Sequence, residues 1–318
     1  MLLTVAICTW NRAALLDQTL ARMRELRSPA QAGWELLVVN NNCTDHTDDV
    51  IAKHATALPL RRIAEPTPGV SHARNAALAA ARGEYLFWVD DDVLVEPDWL
   101  IEAVGTMERF DADGYFGRVF PLWESGHPPA WYNHLFDGMF ALLDLGPDSF
   151  VCKPTDPPGV GANHGFRTAA LRALGGYRTD LGVVADRGGG GEDLDVFARA
   201  HAAGLRLTYA ASAIVHHYLP AERCTKRWYR HYTWNGSKHH LRMLRDQAKS
   251  VPAVFGIPRY FYRQTLRHAW DYLHATLARD HGTSFYHWLK LLRFAGLLWN
   301  RARQQWTARL FGADSHSV

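Results

Sequence analysis

One stretch constrains the fold more than any other: Tyr85-Leu86-Phe87-Trp88-Val89-Asp90-Asp91-Asp92-Val93. Five consecutive apolar residues read as a strand buried on both faces. The run then meets three carboxylates, and burial of even one unpaired anion is strongly unfavourable. The acids must therefore stand where the strand leaves its sheet, in water or facing cations. In open α/β sheets ligands bind at that edge, outside the carboxyl ends of the strands. Side chains at i and i+2 of an extended segment point the same way, so Asp90 and Asp92 can converge on one object. The plainer alternative is an acidic turn ahead of Pro97, and the rest of the chain has to decide.

The surrounding pattern predicts strands over residues 2–7, 34–39 and 60–64. It predicts helices over 14–26, from Thr47, over 70–81 and over 98–110, with Asn11 as an N-cap. Four β-α units in about 100 residues imply a parallel sheet with helices on both faces. Thr9, Asn41 and Asp90 to Asp92 follow successive strands, so they share one sheet edge. The first strand ends in Cys8-Thr9-Trp10-Asn11-Arg12, with no GxGxxG, and no GxxxxGK[ST] loop occurs. Any phosphates must then be held by side chains and a metal instead of a glycine-rich turn.

Further on, a strand is expected near 115–119, and the Trp-, Pro- and Gly-rich segment 121–158 reads as irregular surface that partly shapes a pocket mouth. Residues 160–163 return to the sheet, and 166–174 form a short helix. Asp186-Arg187-Gly188-Gly189-Gly190-Gly191 reads as a loop mobile when empty. It delivers Glu192 and Asp193 to the start of a helix over 194–203, where plain N-capping by Asp193 is the alternative role. A strand over 205–209 follows, and residues 213–215 lead to His216-His217.

From Pro220 the character changes. Between Arg223 and Leu310 stand 17 Lys/Arg against 3 Asp/Glu, leaving 18 basic and 29 acidic residues elsewhere. An acidic body over 1–219 thus carries a basic, aromatic-rich helical region over 220–318, with helices near 220–249, 258–280 and 284–310. On the last, Trp288, Leu291, Leu292, Ala295, Leu298 and Trp299 make an apolar stripe, with Lys290, Arg293, Arg301 and Arg303 largely outside it. Two readings stay open for this region: helices packing on protein, or a face resting on an anionic membrane surface. No nucleic-acid module is evident, so no nucleic-acid partner is expected. No run of 18 apolar residues occurs. The first residues read as a strand, not a signal peptide, and the four scattered cysteines as reduced thiols. The expected location is the cytoplasm, with peripheral attachment to the inner face of its membrane as an extension.

Four motifs in order now carry a resemblance: Cys8-Thr9-Trp10-Asn11-Arg12; Glu35 to Asp45 with Asn40-Asn41-Asn42; Val89-Asp90-Asp91-Asp92; and Gly191-Glu192-Asp193-Leu194-Asp195. Pro68-Gly69 with Ala73-Arg74-Asn75, and Gly161-Ala162-Asn163 with Phe166-Arg167, fit as well. Over about residues 1–217 the chain resembles the inverting nucleotide-sugar glycosyltransferases of family two, with the GT-A fold. The resemblance implies an α/β architecture with a mostly parallel nucleotide-binding sheet and, here, a C-terminal helical extension. It implies that Thr9 and Trp10 bracket the nucleobase. Asn41 stands where many members use Asp for the base. Arg12, Arg74, Asp90, Asp91 and Asn163 line the nucleotide-sugar site. Asp92 binds a divalent cation, Mn²⁺ or Mg²⁺, with Asp90 assisting and His217, favoured over His216, contributing. Asp193 is the catalytic base, with Glu192 beside it to orient the acceptor.

The chemistry coheres without the family. Expelling a nucleoside diphosphate needs its charge neutralised, which a hard cation on carboxylates does. An incoming hydroxyl needs a positioned base. The expected donor is a nucleoside-diphosphate sugar and the expected acceptor a glycan or lipid-linked glycan of the cell envelope. A sugar nucleotidyltransferase would want a glycine-rich, basic loop after the first strand. A processive membrane synthase would want transmembrane helices and a QxxRW motif, of which only Arg227-Trp228 is present, with Cys224 at the Gln position. A non-catalytic binding protein would not need Asp90, Asp92 and Asp193 together.

Overall fold

The computed structural model describes residues 1–184, 190–247 and 251–311. Most of the glycine loop expected to be mobile, residues 186–189, lies outside the described residues. The described residues of Met1–Gly126, Asp137–Asp186 and Glu192–Leu219 form one compact unit; those of His127–Phe136, Arg187–Gly191 and Pro220–Val318 form a second.

The first unit is built on one mixed sheet. The strands β1 (Leu2–Thr9), β2 (Gly33–Asn40), β3 (Leu60–Ala64) and β4 (Tyr85–Asp90) alternate with helices α1 (Ala13–Met23), α2 (Thr47–His54) and α3 (Val70–Ala80). These four strands pair in the order β3-β2-β1-β4, all parallel. Register brings Thr9 opposite Asn40 and Cys8 opposite Asp90, so three strand ends finish level with one another. The apolar run of β4 is buried on both faces, as its sequence demands. Phe87 meets the rings of Trp99 and Tyr115 on one side, while Trp88 stacks on His164 and meets Tyr177 on the other.

Beyond β4 the sheet changes direction. After β5 (Val93–Val95) and α4 (Trp99–Arg109) come β6 (Gly114–Trp123), β7 (Phe150–Val151) and β8 (Asn163–Arg167), then α5 (Thr168–Ala173), α6 (Glu192–Ala202) and β9 (Leu207–Leu219). β8 lies between β4 and β6, antiparallel to both. Its first residue, Asn163, therefore starts at the edge where β4 ends. Phe166 and Arg167, expected in a helix, belong to this strand: Gly165 allows a backbone approach in which a Cβ would lie 2.8 Å from Phe87. β9 runs parallel to β6 and antiparallel to β5, which sets His217 opposite Val93.

Asn11 does not cap α1. Its φ is +51°, and its side chain accepts the Thr44 N–H instead. The free N–H of Ala13 at the helix start is taken by Asp45, which also accepts the Thr47 N–H and so serves two helix starts.

The second unit holds α7 (Lys226–Gln247), a short hairpin of β10 (Ala253–Val254) and β11 (Ile257–Pro258), α8 (Arg259–Leu277) and α9 (His281–Phe311). Trp131, expected in irregular surface, is an anchor of this unit, with its ring against Phe136, Tyr229 and Phe285. The buried positions of α9 include Phe285, Leu289, Gly296 and Leu297, whereas Ala295, Leu298 and Trp299 of the expected stripe are exposed. The more continuous exposed apolar face is on α8: Leu266, Trp270, Leu273 and Leu277, each at least half exposed, recur at helical spacing. Among the described residues no helix is long and apolar enough to cross a membrane.

Candidate active site

The ends of β1, β4 and β9, with the start of α6, bring the motif residues of the first unit together. Asp91 is buried; it accepts the Thr9 hydroxyl at 2.7 Å and an Arg12 N–H at 3.0 Å. The same Arg12 nitrogen donates to Asp92 at 2.9 Å. Burial pushes the Asp91 carboxyl up to about 6, against the pull of Arg12 and the Thr9 hydrogen bond. The neighbouring Asp91, and Asp92 less strongly, hold the Arg12 guanidinium above its usual range although burial opposes them.

The alternation along β4 and its exit turns Asp90 and Asp92 toward His217. One carboxylate oxygen from each aspartate and one imidazole nitrogen of His217 lie within 4.8 Å of one another, and His217 Nε2 is 3.3 Å from Asp92. Its Nδ1 is buried with no hydrogen-bond partner. His216, one residue earlier on β9, points to the opposite face and pairs with Glu96 at 2.8 Å. Two carboxylates and an imidazole suit Mn²⁺ well, since imidazole is a poorer ligand for Mg²⁺.

Arg74 joins the acidic strand end to α6. It is buried, donates to Glu192 at 2.9 Å, and lies 3.6 Å from Asp90. Its guanidinium also faces the rings of Trp88 and Tyr177. Burial works against its charge, but Glu192, Tyr177 and Asp90 outweigh it and keep Arg74 protonated. Burial, with Asp193 alongside, raises Glu192 to about 7 while Arg74 opposes the rise. Asp193 is half-buried; its two oxygens accept the backbone N–H groups of Gly161 and Leu194 at 2.9 and 2.8 Å.

Several expected donor contacts are turned inward. Asn163 is fully buried: its oxygen accepts from Trp99 Nε1 and Tyr115 OH, and its amide donates to the carbonyls of Arg118 and Ala213. No polar valence is left for a donor, so Asn163 braces β6, β8 and β9. Asn41 is buried as well. Its amide donates to Glu65 and Thr67 carbonyls and its oxygen accepts the Gly69 N–H, which fixes the loop before α3. Thr9 spends its hydroxyl on Asp91. Glu192 is buried and holds Arg74 through one oxygen, while its other oxygen has no hydrogen-bond partner. Trp10 keeps a half-exposed ring.

Three contributors receive no role of their own from the sequence. A Cβ on Gly161 would stand 2.9 Å from Arg74 and 3.3 Å from Asp193, so a side chain there would push on both. His164 bridges the Gly161 carbonyl and the Tyr177 hydroxyl, and burial together with Arg74 pushes it well below its usual range, leaving it neutral. Tyr177 follows a Gly-Gly turn whose sequence signals only the end of a helix. Of the three, Gly161 alone has a signal, its place in Gly161-Ala162-Asn163.

Residues 4–175, more than half of the chain, match the family model described as glycosyl transferase family 2. The chain belongs to that family. It is a glycosyltransferase with a GT-A fold. Over 257 residues this family member is 24% identical to the succinoglycan biosynthesis protein ExoM of Rhizobium meliloti (strain 1021), covering 80% of this chain and 78% of that one. It is 27% identical over 218 residues to the pre-mycofactocin glycosyltransferase of Mycobacterium tuberculosis (strain CDC 1551 / Oshkosh), covering 67% of this chain and 42% of that one. Among solved structures, the mannosyltransferase PcManGT from Pyrobaculum calidifontis, in complex with GDP-Man and Mn²⁺, aligns with a TM-score of 0.56 at 20% identity, covering 98% of this chain and 76% of that one. S. aureus TarS 1-349 in complex with UDP-GlcNAc aligns with a TM-score of 0.57 at 16% identity, covering 93% and 92%.

Proposed function

We propose that this glycosyltransferase moves a sugar from a nucleoside-diphosphate sugar to an acceptor hydroxyl with inversion, using a divalent cation. The observation that carries the reading is the convergence of Asp90, Asp92 and His217 at the strand ends. These three residues would hold Mn²⁺ or Mg²⁺, with Mn²⁺ the better match to the imidazole. The cation would supply neutralising charge for the departing diphosphate. Arg12 holds Asp91 and Asp92 in place, and the half-exposed ring of Trp10 is a stacking surface for the base. Arg74 and Glu192 fix the start of α6, and thereby the position of Asp193.

Asp193 acts as general base. As the acceptor oxygen forms its bond to the anomeric carbon, the bond to the diphosphate oxygen breaks on the opposite face. The acceptor proton passes to the Asp193 carboxylate. A single displacement inverts the anomeric centre. Likeness to ExoM supports a role in making cell-envelope polysaccharide or glycolipid, with a glycan or lipid-linked acceptor. The exposed apolar face of α8, with Arg259, Arg263 and Arg267 exposed on the same helix, supports a cytoplasmic protein that rests on the anionic inner face of the membrane.

The test is a screen of nucleotide-sugars for donor hydrolysis and transfer, with Mn²⁺, with Mg²⁺ and with chelator. Metal-dependent turnover of one donor, absent from Asp92→Ala, is the expected result. Undiminished turnover in chelator would sink the metal assignment, and product with retained anomeric configuration would sink inversion.

A further inference from the structure

Within the second unit, α7, α8 and α9 line a partly open cavity of about 130 Å³, several times what one ordered water needs. Its polar lining is His240, Gln264, Thr265, His268, Lys290 and Arg293, flanked by two phenylalanines. Among the described residues no carboxylate lines it. Sequence periodicity sets Lys290 and Arg293 largely outside the apolar stripe of α9, and both face this cavity.

The two cations have no counter-charge. Among the described residues neither makes an ion pair or a protein hydrogen bond, and Lys290 only lies over the Tyr286 ring at 4.5 Å. Burial, reinforced by Arg293, lowers Lys290 to about 8, and burial lowers Arg293 as well. His240 Nε2 is buried without a hydrogen-bond partner. Burial and the same two cations push this imidazole down to about 4. A pocket that concentrates like charge and leaves donors unmade is unfavourable when empty.

A cation does not resolve this. His268, Asp271 and His287 do offer ligand atoms within 4.8 Å of one another, with the two Nδ1 atoms 3.0 Å apart. Yet burial, His287, Lys290 and Arg267 all act against positive charge on His268, and Asp271 alone favours it. A metal dication would meet the same field.

We propose that this cavity binds a phosphoryl group, with Lys290 and Arg293 supplying charge and Gln264 and the Nε2–H tautomer of His240 supplying hydrogen bonds, while the Thr265 hydroxyl stays on the Phe261 carbonyl. An anion there gives both cations a partner and satisfies His240 at once, and a guanidinium matches phosphate oxygens in geometry. The phosphoryl group can belong to a lipid headgroup or to a soluble phosphate. The proposal uses none of the residues assigned to sugar transfer and stands or falls separately from it.

The experiment compares thermal unfolding of the full chain in inorganic phosphate and in chloride at matched ionic strength. Wild type should gain stability with phosphate. Lys290→Met/Arg293→Met should bind about 10- to 100-fold more weakly or lose the response, while its melting temperature in chloride equals or exceeds that of wild type. Arg267→Gln, exposed on α8, should keep the response. Phosphorus NMR line broadening with wild type reads binding directly and does not depend on the variant's folding. Co-sedimentation with phosphatidylcholine vesicles, with and without phosphatidic acid, separates the sources: retention that the double variant loses points to lipid, a response to inorganic phosphate alone to a soluble ligand. Failure of wild type to respond in every arm would overturn the proposal. So would an equal response in the double variant, or stabilisation by Zn²⁺ in place of phosphate.

Discussion

Two charged clusters, one in each compact unit, are built on opposite principles. In the first unit Asp90, Asp91, Asp92 and Glu192 are interleaved with Arg12, Arg74 and His217, and each acid lies against a base at 2.9–3.6 Å. In the second, Lys290 and Arg293 share a cavity with two imidazoles and, among the described residues, no acid. A mixed-sign cluster supports itself, so it can hold its geometry before a ligand arrives and lower the reorganisation needed for chemistry. A single-sign cluster is stable only to the extent that something of opposite charge fills it.

The largest expected effect is on chemistry in the self-supporting cluster. Asp193→Asn should lower transfer about 100- to 10,000-fold while leaving the donor Kd unchanged. Product formation and calorimetry check the two halves, and transfer within a few-fold of wild type would remove Asp193 from the role of base. Next is Asp92→Ala, which takes one carboxylate from the Asp90–Asp92–His217 group. Donor affinity in Mn²⁺ should fall by at least about 10-fold, and the difference between Mn²⁺ and chelator should vanish in calorimetry. If the mixed-sign cluster bound donor equally well without Asp92, its open corner would not be a cation site.

A further effect is on the fold. Arg74→Met leaves Glu192 buried beside Asp193 with no cation, at a cost of about 3–5 kcal/mol in denaturant unfolding. Adding Glu192→Gln should recover part of that loss. Asn163→Ala should cost about 2 kcal/mol, because Trp99 Nε1 and Tyr115 OH lose their buried acceptor, yet should not alter the donor Kd. A weakened donor Kd with unchanged stability would instead restore Asn163 to the binding site.

These assignments show where the sequence is informative. The strands and helices of residues 2–110 are legible because each apolar run is one element long and is punctuated by polar turns. The acid-tipped β4 locates the site because no core can accept three adjacent carboxylates. What a motif cannot convey is which way a polar side chain spends its hydrogen bonds. Asn163, Asn41 and Thr9 all arrive at the expected edge, and all three turn inward to protein partners. β8 is legible only at its start: residues 160–163 are expected to return to the sheet, but Phe166 and Arg167 read as helix, and the pairing with β4 and β6 on either side is what holds them in a strand. In the basic tail, charge misleads in the opposite sense. Lys and Arg beside an apolar stripe are normally solvated, and only the crossing of three helices turns Lys290 and Arg293 toward a cavity.

The smallest expected effect on stability is on α8, and it separates a packed apolar surface from an unpacked one. Leu266 and Trp270 are 73% and 62% exposed. Replacing both by Ser removes only the buried minority of each side chain, so unfolding free energy should change by about 1 kcal/mol. The comparable change at Leu289 or Leu297, each no more than 1% exposed, should cost several times more through transfer and cavity terms. If α8 rests on a bilayer, the Leu266→Ser/Trp270→Ser protein should nonetheless lose co-sedimentation with anionic vesicles, since a surface helix binds through its buried apolar area as much as through its charge. Vesicle binding retained in that variant, with the folded state unchanged, would leave the arginines of α8 to account for any attachment. A large loss of stability would mean that this face is already covered by protein.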